Sequence, residues 1–440
     1  MIRTPRDLLG YAYSPIPNHY ESLQSIKSSF HLANPYKSQP INLSFHLENH
    51  CASSKPINSS EFHVRQQKLA ETLHSLNASA YIAEPGASAQ YFGNISLTSW
   101  KLSERPLLLI ITPVVVDDKV KANISILTPY FEATRAKLLP VPFDSVRYIE
   151  WAEDANPYEI AAAEILAEGN VFMDDASRLF IFDGFRKALP RAIISPVPPE
   201  IKELRQRKSE AELDLLKCAN EATLLAIRNV HKRMYVGMRE SEARKMMSIA
   251  LQEVGLQNGG CLTLFGENAA LPHGSGTDRE LGEFDFALFD CGGNLHGYIS
   301  DVTRTVILPQ SWQQIPAEHH KIWNIVQFTQ TVASRSAIAG AIAQDVDTAA
   351  RSFLRQTGYD TYFTHRLGHG IGLEGHEEPY LRGGSLDVIK IGHTFSNEPG
   401  IYIEGKVGVR LEDCFYINAQ GRPVFFTEGV GGQAGSPWDP

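Results

Sequence analysis

Four carboxylates and one imidazole in the last third of the chain offer the chemistry best suited to holding cations: Asp290, Asp301, His369, Glu398 and Glu412. Each stands in a short segment with its own turn signals. The segments read Asp290-Cys-Gly-Gly-Asn-Leu-His-Gly-Tyr-Ile-Ser-Asp301, His365-Arg-Leu-Gly-His369-Gly-Ile-Gly-Leu-Glu-Gly-His376, Asn397-Glu398-Pro-Gly and Arg410-Leu-Glu412. Such an oxygen-rich set suits hard divalent ions such as Mn²⁺ better than a thiolate zinc site would. Two ions roughly 3.5–4 Å apart would activate a water and polarise a carbonyl together, which is hydrolytic chemistry.

The elements that must position these groups are legible nearby. Phe284 to Asp290 alternates as a strand, Gly292-Gly293 supplies a turn, and Tyr298 to Ile307 returns as a second strand. Asp290 and Asp301 are thus expected to face each other across a hairpin. His369 lies between Gly368 and Gly370, whose missing side chains permit close approach of backbone and ion. Pro399-Gly400 fixes a turn directly after Glu398. Glu412 falls in the alternating stretch Val407–Tyr416, with Arg410 placed to hold neighbouring carboxylates by a bidentate hydrogen bond. Taken singly, an acidic pair or a lone histidine is more often structural. The combination favours a metal.

The rest of the chain sets bounds. Its 440 residues exceed the size of one core, so two domains are expected. A net charge of -9 argues against nucleic acid or an anionic membrane as partner. No apolar run is long enough to span a bilayer, and Pro106–Val116 reads as a buried strand. The five cysteines are odd in number and widely spaced, which predicts buried free thiols rather than a disulfide scaffold. As written the chain suits the cytoplasm, since Met1–Tyr20 lacks the apolar core of a signal peptide. Five Asn-x-Ser sequons at Asn42, Asn58, Asn77, Asn94 and Asn123 point instead to a secreted or anchored form.

Residues 1–60 are rich in Ser, Pro, Asn and His and read as an irregular extension. Residues 61–196 alternate strand-like and helix-like stretches, including a helix over Pro157–Glu168, as an α/β domain does. Ser195-Pro-Val-Pro-Pro199 marks the boundary to a second domain over 197–440. Ser209 with Glu212 three residues on is a capping-box signature for the helix that follows. A second helix is expected around Glu240–Val254 and a long one over Ala317–Ile338.

These segments, with Leu271-Pro-His273 and Gly408-Val-Arg-Leu-Glu412-Asp413, resemble the creatinase/prolidase/methionine aminopeptidase superfamily, and within it the Xaa-Pro peptidase branch (aminopeptidase P and prolidase). The resemblance covers roughly residues 60 to 430. It implies an α/β (α+β) protein with an N-terminal creatinase-like α/β domain and a C-terminal pita-bread metallopeptidase domain. It also implies two divalent ions, Mn²⁺ first, with Co²⁺ or Zn²⁺ as alternatives. Asp290 would bind one ion, Asp301 and Glu412 would bridge both, and His369 and Glu398 would bind the second. Glu398 would also take a proton from the metal-bound water, whose hydroxide attacks the Xaa-Pro bond. His273 and His376 resemble the pair that positions substrate and stabilises the tetrahedral intermediate. His365 resembles a residue lining the prolyl pocket, and Arg410 would support the ligands. The implied substrate is a peptide with proline at its second position, and the implied assembly is a homodimer. Dipeptidase and aminopeptidase remain open at this stage. So do a hydrolase of some non-peptide small molecule and a non-catalytic binding homologue.

Overall fold

The computed structural model describes residues 47–143, 145–308 and 315–440. Most of the expected irregular extension, and Asn42 with it, lies outside the described residues. From residue 47 to 58 the chain makes turns without helix or strand. Asn58 then caps α1 (Ser59–Ser75) by accepting from the Glu61 amide. Of the remaining sequons, Asn77 is exposed while Asn94 and Asn123 are half-buried.

A six-stranded sheet follows. Its strands are β1 (Ala78–Ala83), β2 (Leu108–Val116), β3 (Lys119–Pro129), β4 (Arg147–Trp151), β5 (Gly169–Met173) and β6 (Ala192–Pro196), in the order β4-β3-β2-β1-β5-β6. Helix α1, α2 (Ala87–Gly93) and α3 (Ala133–Ala136) accompany it, as do α4 (Pro157–Ala162) and α5 (Leu179–Ala188). Apolar residues cover both faces. Leu69, Tyr81, Phe92 and Leu109 belong to one buried cluster, and Ile82, Leu108, Val171 and Phe185 to the other. Two expectations are corrected here. The helix expected to Glu168 stops at Ala162. Strand β2 runs through Pro113, but Val114–Val116 are exposed rather than buried. Pro113 is tolerated because β1 pairs with β2 only from Leu109 to Ile111, so its missing N–H costs no ladder bond on that side.

Helix α6 (Pro199–Gln206), unforeseen in the sequence, leads from β6 into α7 (Glu210–His231). The capping box at Ser209 is formed in both directions. Beyond α8 (Glu240–Glu253) come β7 (Gln257–Phe265), β8 (Ala287–Leu295), β9 (Tyr298–Ile299) and β10 (Val302–Val306). Helices α9 (Ala317–Ser336) and α10 (Ala343–Thr357) precede β11 (Gly368–Gly370), β12 (Glu377–Leu381), β13 (Thr394–Asn397), β14 (Gly400–Ile403), β15 (Val407–Arg410), β16 (Asp413–Ile417) and β17 (Pro423–Phe425). The order β10-β8-β7 gives one sheet and β12-β11-β13-β16-β17 another. An isolated bridge between Thr303 of β10 and Glu412, just before β16, joins them. No helix among the described residues is long and apolar enough to cross a membrane.

The cysteines depart from expectation. Cys51 is bonded to Cys218 and Cys261 to Cys291, while Cys414 alone is free and buried. The partners are 167 and 30 positions apart, so no local spacing announces them. Cys261 and Cys291 are instead made neighbours by the β7–β8 register.

Candidate metal centre

Asp290 sits on β8 opposite Thr303 of β10. Asp301 directly precedes β10, but not by way of a turn at Gly292-Gly293. Those glycines lie within β8, and the hairpin turns at His296-Gly297, both with positive φ. A Cβ on Gly292 would stand 2.1 Å from the Ser300 carbonyl oxygen. The glycine is there to let two strands approach, not to bend one.

His369 is the central residue of β11. Its Nδ1 faces the Gly370 carbonyl at 3.1 Å, which turns Nε2 towards Asp301 (3.7 Å) and Glu398 (3.4 Å). Burial, together with the neighbouring His376 imidazole, drives its pKa down to about 3. The ring is therefore neutral and these contacts are not ion pairs; an unprotonated Nε2 facing carboxylates is the form a metal ligand requires. Glu398 lies between β13 and β14, with its amide held by the Leu367 carbonyl. Glu412 is 1% exposed, and its Oε2 accepts from Thr303 Oγ1 at 2.7 Å.

Three overlapping groups have ligand atoms within 4.8 Å of one another: Asp290 with Asp301 and Glu412, His369 with Glu398 and Glu412, and Asp301 with His369 and His376. The five residues singled out from the sequence thus converge, and His376 joins them. His273 is not in these groups. It lies exposed in the loop after Leu271, near His365 and His376.

The electrostatics are those of an anionic pocket. Burial and then the Asp290 and Glu398 carboxylates hold Asp301 well above the usual carboxylate range. Glu412 is raised likewise, by burial and then by Asp301 and Glu398. Glu398 is raised to about 7 by burial, against the pull of Arg410. The residues fit divalent ions on a specific observation: Glu412 Oε1 is buried and has no hydrogen-bond partner. A buried anionic oxygen costs dearly unless paired, and a cation shared with Asp301 and His369 is the partner this geometry suits. The donors, four carboxylates and imidazole, are those hard divalent ions take.

Comparison with known proteins gives the same direction. Residues 214–419 match the model of metallopeptidase family M24. An uncharacterised peptidase of Schizosaccharomyces pombe is 38% identical over 393 residues, 87% of this chain and 84% of that protein. The chain belongs to metallopeptidase family M24. Among solved structures, a dipeptidase of Pyrococcus horikoshii OT3 superposes with a TM-score of 0.70 at 28% identity, over 82% of this chain and 97% of that one. A prolidase of Thermococcus sibiricus gives 0.70 at 27% identity, over 85% and 98%. The mixed α/β pita-bread fold follows from these matches.

Behind the candidate ligands of this M24 chain lies a second layer that the sequence only partly announced. Arg410, 3% exposed, donates from Nη2 to Asp290 at 2.6 Å and from Nη1 to the Tyr402 hydroxyl at 2.9 Å and the Pro272 carbonyl at 3.2 Å. The expected bidentate grip on carboxylates is replaced by one bond to Asp290 and a relay through Tyr402. Tyr402 lies 2.8 Å from His365 Nε2, and burial raises its hydroxyl to about 12. His365 is lowered to about 4 by burial, so its ring stays neutral beside Phe363. Thr303 and Arg304 lie in the second strand expected over Tyr298 to Ile307, where the sequence alone suggests no role for them. Arg304 is fully buried and binds the Glu412 carbonyl at 2.7 Å and the Asp413 carboxylate at 2.8 Å. An arginine inside an alternating strand was the available signal.

Proposed function

We propose that this M24 metallopeptidase hydrolyses the bond before proline in short peptides, using two divalent ions. The observation that carries the reading is the convergence of Asp290, Asp301, His369, Glu398 and Glu412 around an orphaned Glu412 oxygen. In this reading Asp290, Asp301, His369, Glu398 and Glu412 would hold the ions between them, with Mn²⁺ as the first candidate. When bound, such ions lower the pKa of a water and polarise a carbonyl.

The side chains supply the rest. Glu398, set between the ends of β13 and β14 within the cluster, would accept a proton from the attacking water and return it to the departing amine. Arg410 fixes Asp290 while Tyr402 fixes His365, so one end of the site is rigid. His365 and Phe363, in edge contact with ring centroids 5.0 Å apart, form a partly apolar wall suited to a pyrrolidine ring. His376, its ring 4.2 Å from that of His369, stands at the other end as a donor to a developing oxyanion, with His273 on the rim. The dipeptidase and prolidase among the structural neighbours support a peptide substrate. We further take residues 61–196 as a separate domain and the assembly as a homodimer.

Hydrolysis of Xaa-Pro dipeptides beside Xaa-Pro-Yaa tripeptides, with Mn²⁺ supplied, tests this. Cleavage that vanishes in Glu412→Gln is expected, and the preferred length separates dipeptidase from aminopeptidase. A protein that binds metal but cleaves neither would act on a non-prolyl substrate, and the proposal would be withdrawn.

A further inference from the structure

Three basic residues leave α6 and its C-terminal end at three-residue intervals, and each meets an acid beside His376. Lys202 reaches Glu378 at 3.2 Å, Arg205 reaches Glu374 at 2.6 Å, and Lys208 binds Glu377. The first two pairs are partly exposed, as surface ion pairs usually are, and contribute little. The Lys208–Glu377 pair differs: both side chains are 2% exposed. A buried ion pair is poor evidence for stability, because apolar residues of similar size serve as well. Its presence calls for another explanation.

The surroundings provide one. Glu377 directly follows His376 and pairs with Gly370, at a register shift next to His369 in the β11–β12 ladder. Residues of α6, the first sheet and the segment Glu374–Glu378 together line an open pocket of about 330 Å³. Apolar packing therefore does little to fix that segment on this side. Lys208 is itself held: its amide donates to the Gly392 carbonyl at 2.8 Å, and its ammonium to the Gln206 carbonyl at 3.3 Å. Gly372 leaves the room this needs, since a Cβ there would stand 2.8 Å from Lys208 Cε and 2.9 Å from Glu377 Oε1.

We propose that Lys208 and Glu377 are a positioning pair, fixing the backbone beneath His376 so that its imidazole stands against His369 and the ligand cluster. The pair touches neither substrate nor metal. It acts through His376, and the claim rests on the reading of His376 as a substrate-facing donor. Because Lys208 follows α6, the pair also ties the first sheet to the metal centre.

The test is the double variant Lys208→Met/Glu377→Gln, which removes both charges and leaves none unpaired. Expected are an unchanged circular dichroism spectrum and metal stoichiometry, KM near that of the parent, and kcat lower by roughly 10–100-fold, as for other residues that orient a site from behind. Ring-labelled histidine NMR of the metal-stripped protein should show the His376 signal, assigned with His376→Gln, displaced while that of His365 stays. If the double variant does not fold, Gly372→Ala displaces the flexible end of Lys208 instead and should shift the same signal. A kcat within twofold of the parent, or an unmoved His376 signal in a folded variant, overturns the proposal. Failure of the parent to cleave prolyl peptides would defeat the functional reading alone, because the NMR signal still decides the positioning claim.

Discussion

Glu412 and Asp413 are adjacent, 1% and 0% exposed, and opposite in what surrounds them. Asp413 accepts from Arg304 at 2.8 Å, from Thr427 at 2.6 Å and from Gln330 at 3.1 Å. Each of its oxygens is satisfied within the chain. Glu412 has one bond, from Thr303, and an oxygen with no partner, facing three more carboxylates. One residue is buried with its counter-charge built in; the other is buried where no side chain supplies one. The difference teaches how to separate a structural acid from a ligand: equal burial, unequal satisfaction.

Substitutions should break that symmetry in opposite ways. The largest effect expected is on activity in Glu412→Gln, a loss on the order of 10⁴-fold, about 5.4 kcal/mol of barrier. The metal-free variant should nevertheless be no less stable than its parent, since the amide cannot take on the charge that neighbouring carboxylates repel when Glu412 ionises. Steady-state kinetics and urea unfolding check both halves. Arg304→Met should do the reverse, costing about 3–5 kcal/mol by leaving Asp413 buried and unpaired, which chemical denaturation reads directly. Next in size, Tyr402→Phe cuts the link between Arg410 and His365 and should weaken activity or metal affinity by roughly 10–100-fold, read by kinetics at varied Mn²⁺.

The smallest effect is on pH dependence. A carboxyl whose pKa is raised by folding contributes stability below its ordinary pKa and loses it as pH rises through the folded value. Asp301 and Glu412 are raised well above their ordinary values and Glu398 to about 7. Metal-stripped protein should therefore lose stability between about pH 4 and 7 and beyond. A Tm lower by several degrees at pH 8 than at pH 5.5 is expected, with Mn²⁺ restoring more at the higher pH. A metal-free Tm that rises over this range would contradict the sign.

Much of the site was legible because glycine or proline stands beside several candidate ligands and marks where the backbone turns or lets another strand approach. Gly368-His369-Gly370 and Glu398-Pro-Gly are of this kind. Gly292-Gly293 misled for the same reason: a glycine pair reads as a turn, yet here it admits a neighbouring strand. What was not legible depends on contacts between distant segments. Arg304 with Asp413, Lys208 with Glu377 and Cys51 with Cys218 are joined only once the sheets assemble. Helix α6 was hidden by prolines that read as a linker, although Pro198 is its N-cap and Pro199 its first residue, where no N–H is needed. Helix α10 carries a clear apolar stripe through Val346, Ala350 and Leu354 and was missed although the periodicity was there to read.

The central claim is that the carboxylate cluster is a two-ion site, and metal stoichiometry tests it most directly. Titration of chelator-stripped protein with Mn²⁺, followed by calorimetry and elemental analysis, should give two ions per chain. The same titration of Glu412→Gln should give one or none. Fewer than two ions per parent chain, or the same stoichiometry in both proteins, would contradict the account.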